Sequence, residues 1–259
     1  MNVHAVANAV EGYPGKPKNG GSQPRFYHFD DGVTRLVKWH PSRHGAKACY
    51  NELVASRLGQ LIGAPILRGS VVYVADEIIP EDHRNDGALP GFHFGITQME
   101  GENFVPAQHY TEIENHSELP MAAAFLARLA VGDQEGHNQY LQRLEIRHPS
   151  GHTEKTKLFR LIDMGQMFGN FKWDANSVSA VHKKYKLPQH LAEKLTWELL
   201  EPAIGALNTI NDELVAACFN DCPDEWDIPK GDVDAAVERT VKAGGLIEQI
   251  IRDGNPSLK

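Results

Sequence analysis

The hydrophobic pattern changes character near residue 100, and this change constrains the fold more than any other feature of the chain. Before it, short runs rich in β-branched and aromatic residues alternate with Gly, Pro and Asp turns, which predicts strands. After it, most apolar residues recur at helical spacing. We therefore expect an α+β chain with two lobes, a small β-rich N-lobe over 1–101 and a larger, mainly helical C-lobe over 102–259.

The first hundred residues predict strands, turns and one helix. A loop is expected over 11–24, where Gly, Pro, Asn and Ser are concentrated. A helix is expected from Ala46 to Ile62, because apolar residues recur at helical spacing and Gly63-Ala64-Pro65 ends the pattern. The remaining runs predict a strand at 3–10, a β-hairpin at 25–39 around Asp-Asp-Gly, and strands at about 66–75 and 92–99.

Helical periodicity dominates the second part of the chain, apart from one further hairpin. That hairpin is expected from Gln139 to Ile162, with its turn at Pro149-Ser150-Gly151. Helices are predicted at 120–131 and near 188–200, 202–218 and 231–252.

Charge and cysteine content exclude several classes of protein. The 259 residues carry a formal net charge of −8, which argues against non-specific nucleic-acid binding. No apolar run approaches the roughly 18–20 residues that span a bilayer, and the N-terminus does not resemble a signal peptide. The three cysteines are few and odd in number, so we expect no disulfide framework and a cytoplasmic location.

A cluster of polar residues, G-D-Q-E-G-H-N at 132–138, follows an apolar helical run. Asp133 and Asn138 have the D-x-x-x-x-N spacing of a kinase catalytic loop, in which the Asp orients or deprotonates a hydroxyl and the Asn binds Mg²⁺. Asp163 ends the apolar run L-F-R-L-I-D, where a carboxylate next to Gly can project into a cleft and bind Mg²⁺. For Glu135 and His137 we favour a solvated turn, and for His137 the alternative is contact with a substrate.

Three earlier features have the same order as in kinases. Lys38 ends a predicted strand, where it either points outward or meets an anion. Glu52 lies early in the next helix, where it either pairs with that lysine or is an exposed first-turn carboxylate. The loop K-N-G-G-S-Q at 18–23 presents backbone amides that suit phosphate, although such loops are common.

Taken together, these motifs resemble the HipA-like kinases and, more distantly, the phosphatidylinositol 3-/4-kinase branch of the kinase fold. The resemblance covers about residues 15–170. It rests on G-G-S-Q-P at 20–24, V-K-W at 37–39, N-E-L-V-A-S-R-L-G-Q-L-I-G at 51–63, G-D-Q-E-G-H-N at 132–138 and L-I-D-M-G-Q-M-F-G at 161–169.

The resemblance implies a bilobal protein-kinase-like fold, ATP and Mg²⁺ as cofactors, and transfer of the γ-phosphoryl group to a hydroxyl of a Ser/Thr protein substrate. Catalysis would involve Asp133 as the base and Lys38 paired with Glu52, while Asn138 and Asp163 would hold the metal. The nucleotide would contact Lys38, the loop residues Gly20, Gly21, Ser22 and Gln23, and the hinge residues Gln98, Met99 and Glu100.

The chain departs from the family pattern at several positions. No His-Arg precedes Asp133, Gln134-Glu135 follow it, and Met164 replaces the usual Phe. These changes leave the metal-binding atoms intact. A small-molecule or lipid kinase of the same fold and a nucleotide-binding pseudokinase are the alternatives to a protein kinase. Ser22 is a candidate for autophosphorylation, against the simpler interpretation of a serine that contacts nucleotide or caps a turn.

Overall fold

The computed structural model describes residues 6–13, 23–40, 45–103, 117–130, 138–169, 172–178, 186–255 and 258. Within these ranges the chain forms eight β-strands and nine α-helices. All the described strands precede residue 162, and helices make up most of the structure after that point. The expected α+β class is therefore confirmed. Among the described helices, none combines the length and the apolar character that crossing a bilayer requires.

Five strands close into a small barrel near the N-terminus. They are β1 (Ala7–Gly12), β2 (Arg25–Phe29), β3 (Thr34–Lys38), β4 (Gly69–Val74) and β5 (Gly91–Thr97). Their order is β1-β2-β3-β5-β4, and β1 closes the barrel by pairing antiparallel with β2 and parallel with β4. Alternate residues of the strands enter a common apolar core that includes Tyr27, Phe29, Val37, Val72 and Val74.

The predicted hairpin at 25–39 is confirmed as β2 and β3. Gly32 takes a left-handed backbone with φ +78°, which the turn requires and glycine allows without strain. Val37 points into the barrel core, so Lys38, the next residue, points to the opposite face. Because successive side chains of β3 point to opposite faces, the Lys38 side chain lies outside the barrel.

Helix α1 (Ala46–Ile62) matches the predicted helix at both ends. Gly63 has φ 71° and its N–H donates to the Gly59 carbonyl, a left-handed C-terminal cap. Most of α1 is buried because it packs against the barrel on one side and the segment after Leu161 on the other. A Cβ on Gly59 would come within 2.3 Å of the Ile66 Cγ2, so glycine permits this close packing.

A second, three-stranded sheet follows, in the order β6-β7-β8. It consists of β6 (Gly101–Asn103), β7 (Gln139–Arg147) and β8 (Thr153–Leu161), and it confirms the hairpin predicted over 139–162. The end of β8 is fixed to the chain that follows α1, since Leu161 N–H donates to the Pro65 carbonyl at 2.6 Å and Leu67 N–H donates to the Leu161 carbonyl at 3.0 Å. The proposed boundary between residues 101 and 102 falls within β6, so the limits of the two lobes stay a prediction.

The remaining helices lie mostly in the C-terminal part of the chain. They are α2 (Glu81–Asn85), α3 (Leu119–Leu129), α4 (Ala175–Val178), α5 (Gln189–Ala192), α6 (Trp197–Asn208), α7 (Asp212–Ala217), α8 (Lys230–Gly244) and α9 (Ile247–Gly254). Helix α3, predicted at 120–131, is almost completely buried and packs against α6, α8 and α9. It is the centre of the larger apolar core.

The predicted extents of the last helices were wrong. A continuous helix over 188–200 is replaced by the short α5 and the start of α6, because Thr196 has an extended backbone and caps α6 through its side chain. Asn211 starts α7 in the same way, its Oδ1 accepting from Glu213 N–H at 2.6 Å, so 202–218 is also divided. Helix α6 runs through Pro202, where the prediction had placed a boundary.

Candidate functional site

Lys38 lies between two carboxylates that come from distant parts of the sequence. Its Nζ donates to the Glu52 Oε1 on α1 and to the Asp163 Oδ1 after β8, the latter at 2.7 Å. Glu52 is almost fully buried, whereas the Asp163 side chain is 51% exposed. The structure therefore brings together three of the residues that the sequence analysis selected, on a strand end, a helix and a turn.

Burial and the neighbouring charges shift the pKa values of Lys38 and Glu52. Burial lowers the pKa of Lys38, but the carboxylates of Glu52 and Asp163 outweigh it, so the Lys38 pKa is raised above its ordinary value. Burial raises the pKa of the Glu52 carboxyl to about 7, while the Lys38 ammonium acts in the opposite direction. Lys38 is consequently a fixed cation, and its neighbour Asp163 is a carboxylate that remains accessible.

The backbone at Asp163 has an uncommon conformation. Its φ of +57° lies in the left-handed region, which costs a residue other than glycine roughly 1 kcal/mol. A tight turn over Met164–Gly169 follows, in which Met164, Met167 and Phe168 are buried. Gly165 faces Glu52, since a Cβ there would lie 3.5 Å from the Glu52 Oε1. This turn directs the carboxylate out of the core while the residues after it anchor it.

Asn138 lies immediately before β7, beside the residue that precedes Asp163. Its carbonyl accepts from Ile162 N–H at 2.9 Å, and its side chain is 1% exposed. Its Oδ1 accepts from Gln139 Nε2 at 3.2 Å, and its Nδ2 has no hydrogen-bond partner among the described residues. Register with β8 thus places this amide next to the Asp163 turn.

The donor set fits a magnesium ion. Mg²⁺ prefers oxygen ligands, and Asp163 and Asn138 supply a carboxylate and an amide oxygen from adjacent strand ends. The contact from Gln139 uses one lone pair of the Asn138 oxygen, and a carboxamide oxygen has two. Both residues therefore retain acceptor capacity of the kind that the ion requires.

The segment predicted as the hinge, 97–101, joins the barrel to the second sheet. Gln98 N–H donates to the Thr34 carbonyl, the Tyr140 hydroxyl donates to the Met99 carbonyl at 3.0 Å, and Arg143 N–H donates to the Glu100 carbonyl. An open depression of about 390 Å³ is lined by Gln98, Met99, Glu100 and the hairpin residues 32–34. It lies at the opposite end of β3 from Lys38, four residues or roughly 13 Å away. Adenine binding at this segment stays a prediction.

Several residues selected from the sequence lie outside the described ranges. They are Gly20, Gly21 and Ser22 of the glycine loop, and Asp133, Glu135 and His137 of the polar cluster. Gln23 is described and lies exposed two residues before β2, with φ +46°. The roles given to all seven residues stay predictions.

Sequence reasoning missed a group of buried polar residues around the site. Asn51, next to Glu52, bonds to the turn after Asp163 and to Trp173. Lys47 Nζ donates to the Trp173 carbonyl and to the Asp232 Oδ2 of α8, the latter at 2.6 Å. The available signal was the presence of an amide and a lysine on a helix whose apolar residues recur at core spacing, which predicts polar partners without identifying them.

No family model and no curated protein sequence matches the chain. Among solved structures, it is similar to the proinflammatory kinase CtkA of Helicobacter pylori, with a TM-score of 0.64 and 12% identity over 98% of this chain and 100% of that one. More distant similarity extends to the Golgi casein kinase (TM-score 0.45, 10% identity, 95% and 72% of the chains) and to its form with Mn/ADP bound (0.38, 11%, 98% and 74%). The likeness to CtkA shows that the chain has a kinase-like fold.

Proposed function

We propose that the chain is an ATP- and Mg²⁺-dependent kinase that transfers the γ-phosphoryl group to a hydroxyl, most specifically to Ser/Thr of a protein substrate in the cytoplasm. The observation that carries this proposal is the position of Lys38 between Glu52 and Asp163. Assignment to the HipA-like kinases is part of the proposal, and it rests on the motif order in the sequence.

Phosphoryl transfer requires positioning and charge neutralisation from the protein. Lys38, held by Glu52, would contact the α- and β-phosphates. Asn138 and Asp163 would hold Mg²⁺, which when bound neutralises the phosphate charge. Asp133 would accept the hydroxyl proton as the acceptor oxygen bonds to the γ-phosphorus and the bond to ADP breaks.

Both carboxylates of the cluster have distinct parts in this mechanism. Glu52 is buried and therefore acts on Lys38, not on the solvent-facing substrate. Asp163 is half exposed, so its oxygens are accessible to a metal–nucleotide complex. This difference in burial supports the assignment of the first to positioning and of the second to metal binding.

The experiment is incubation of the wild-type chain with γ-labelled ATP, with and without Mg²⁺. We expect label on protein only with Mg²⁺, none with Asp163→Ala, and wild-type labelling with Asp253→Ala, which removes an exposed carboxylate of α9. Label on an added small molecule or lipid would instead identify a different acceptor, and nucleotide binding without turnover would identify a pseudokinase. Equal turnover by wild type and Asp163→Ala would refute the metal assignment.

A further inference from the structure

Asn51 links helix α1 to the turn that follows Asp163. The side chain is completely buried, and its Nδ2 donates to the Gly165 carbonyl at 2.8 Å and to the Met167 carbonyl at 3.3 Å. These two acceptors lie two and four residues after Asp163. The amide therefore fixes the backbone immediately behind the accessible carboxylate.

The other end of the Asn51 amide is also occupied. Its Oδ1 accepts from the Trp173 Nε1 at 2.9 Å, and Trp173 is itself completely buried. Trp173 is held in turn by Lys47, whose Nζ donates to the Trp173 carbonyl and lies 4.7 Å from the ring centroid. With two acceptors facing its nitrogen and one donor facing its oxygen, the amide of Asn51 has a single favourable orientation.

We propose that Asn51 is a positioning residue for phosphoryl transfer, which holds the Asp163 turn at the distance from α1 that lets Lys38 contact both carboxylates. The proposal rests on the proposed function, because it assigns Asn51 a part in that reaction. Glu52 holds Lys38, and Asn51 holds the Asp163 turn. Two consecutive residues of one helix therefore fix the positions of the Lys38 ammonium and the Asp163 carboxylate. The left-handed backbone at Asp163 needs such an anchor, since an unsupported turn relaxes out of that conformation.

A purely structural role predicts something different, and the same helix supplies the comparison. Ser56 is also buried on α1 and also bonds to backbone, its Oγ accepting from Gly69 N–H at 2.8 Å and donating to the Gly69 carbonyl at 3.1 Å. Its partner is β4 of the barrel, away from Asp163. Ser56→Ala therefore removes a comparable anchor of α1 without touching the turn.

The main variant is Asn51→Asp, which keeps the shape of the side chain but directs a carboxylate at the Gly165 and Met167 carbonyls. Removal of a group that orients a metal ligand typically costs 10–100-fold in affinity or activity. We expect kcat to fall by at least about tenfold and the half-saturating Mg²⁺ concentration to rise by a similar factor. The KM for ATP at saturating Mg²⁺ should change by less than about twofold, because Lys38 and Glu52 are untouched.

A second variant and a binding measurement keep the proposal testable if Asn51→Asp does not fold. Trp173→Phe removes the indole N–H that Asn51 accepts, together with part of the buried ring, and we expect the same changes in kcat and Mg²⁺ dependence, reduced to about threefold. Mn²⁺ binding in the presence of ADP, followed by electron paramagnetic resonance, should weaken in both variants. The Trp173 indole N–H resonance should shift in Asn51→Asp and stay unchanged in Ser56→Ala.

The outcomes separate this inference from the proposed function. Wild-type kcat and Mg²⁺ dependence in folded Asn51→Asp or Trp173→Phe would overturn the positioning role while the kinase activity stands, and so would an equal loss in Ser56→Ala. If wild type binds Mn²⁺–ADP but transfers no phosphate, the kinase proposal fails, and weaker Mn²⁺ binding in Asn51→Asp still supports the link to Asp163. If wild type shows neither, both proposals fail.

Discussion

Replacement of Lys38 by Met should destabilise the fold in a way that depends on pH. Methionine keeps most of the apolar stem but removes the ammonium that donates to Glu52 and Asp163. Asp163 is half exposed and loses little when its partner is removed, because solvent screens it. Glu52 is almost fully buried, so the variant leaves an unpaired carboxyl in the protein interior.

The magnitude follows from the titration of Glu52. Its folded-state pKa of about 7 lies above its ordinary value of 4.5, so its contribution to stability is complete below pH 4.5 and is lost as the pH rises through 7. Because an opposite charge shifts a carboxyl by 1–3 units, loss of Lys38 should raise this pKa further, by about 2. In Lys38→Met the stability that Glu52 contributes is therefore lost up to about pH 9. Relative to wild type, the free energy of unfolding of this variant should be lowered by about 2 kcal/mol more at pH 8.5 than at pH 5.5.

Urea denaturation at pH 5.5 and 8.5, followed by circular dichroism, measures this difference. Lys38→Met/Glu52→Gln is the matched control, because it replaces both charges and leaves no titrating group at residue 52. We expect the pH-dependent part of the destabilisation to disappear in this double variant. Equal destabilisation of Lys38→Met at the two pH values would refute the assignment of Glu52 as a buried partner that depends on Lys38.

Three further predictions concern packing and protonation elsewhere in the structure. Gly59→Ala should lower the free energy of unfolding by about 1–3 kcal/mol in urea titrations, because the new Cβ meets Ile66, whereas Gly205→Ala in the open part of α6 should raise it by about 0.5–1 kcal/mol. Gly101→Ala places a Cβ 2.4 Å from the Leu141 carbonyl oxygen, so steady-state kinetics should show a KM for ATP raised several-fold with a smaller change in kcat. Burial lowers the pKa of His93 to about 3, so wild-type stability should fall as the pH drops below about 6.5, and His93→Gln should flatten that fall in denaturation curves between pH 7 and 4.

Sequence reasoning succeeded where local chemistry determines structure. Helix α1 ends where predicted because Gly63 adopts the left-handed cap that the Gly-Ala-Pro sequence favours. The hairpin over 139–162 has its predicted turn because Gly151 takes a positive φ there. The pairing of Lys38 with Glu52 was expected from the resemblance to kinases, which also placed Asp163 in the same site as a metal ligand, whereas the contact between Lys38 and Asp163 was not predicted.

The C-terminal helices were less predictable because their limits depend on single caps. A Thr or Asn side chain that accepts one backbone N–H contributes about 1 kcal/mol, which leaves little trace in a hydrophobic pattern. Thr196 and Asn211 divide helices that periodicity had joined. The partners of Asn51 could not be predicted for another reason. Gly165 and Trp173 are separated from Asn51 by 114 and 122 residues in the sequence.

The C-terminal helices belong to the same structural unit as the site, although no motif assigned them a role. Asp232 of α8 binds Lys47 of α1 through one carboxylate oxygen and Ala175 N–H through the other, so α8 holds both the site helix and the segment after Trp173. Further along α8, the buried Arg239 donates to the Arg128 carbonyl near the end of α3, and its guanidinium lies 5.5 Å from the Phe168 ring centroid. Phe168 belongs to the turn that Asn51 anchors from α1. The turn after Asp163 is thus held between α1 and α8, so residues beyond 170 help to support the candidate site.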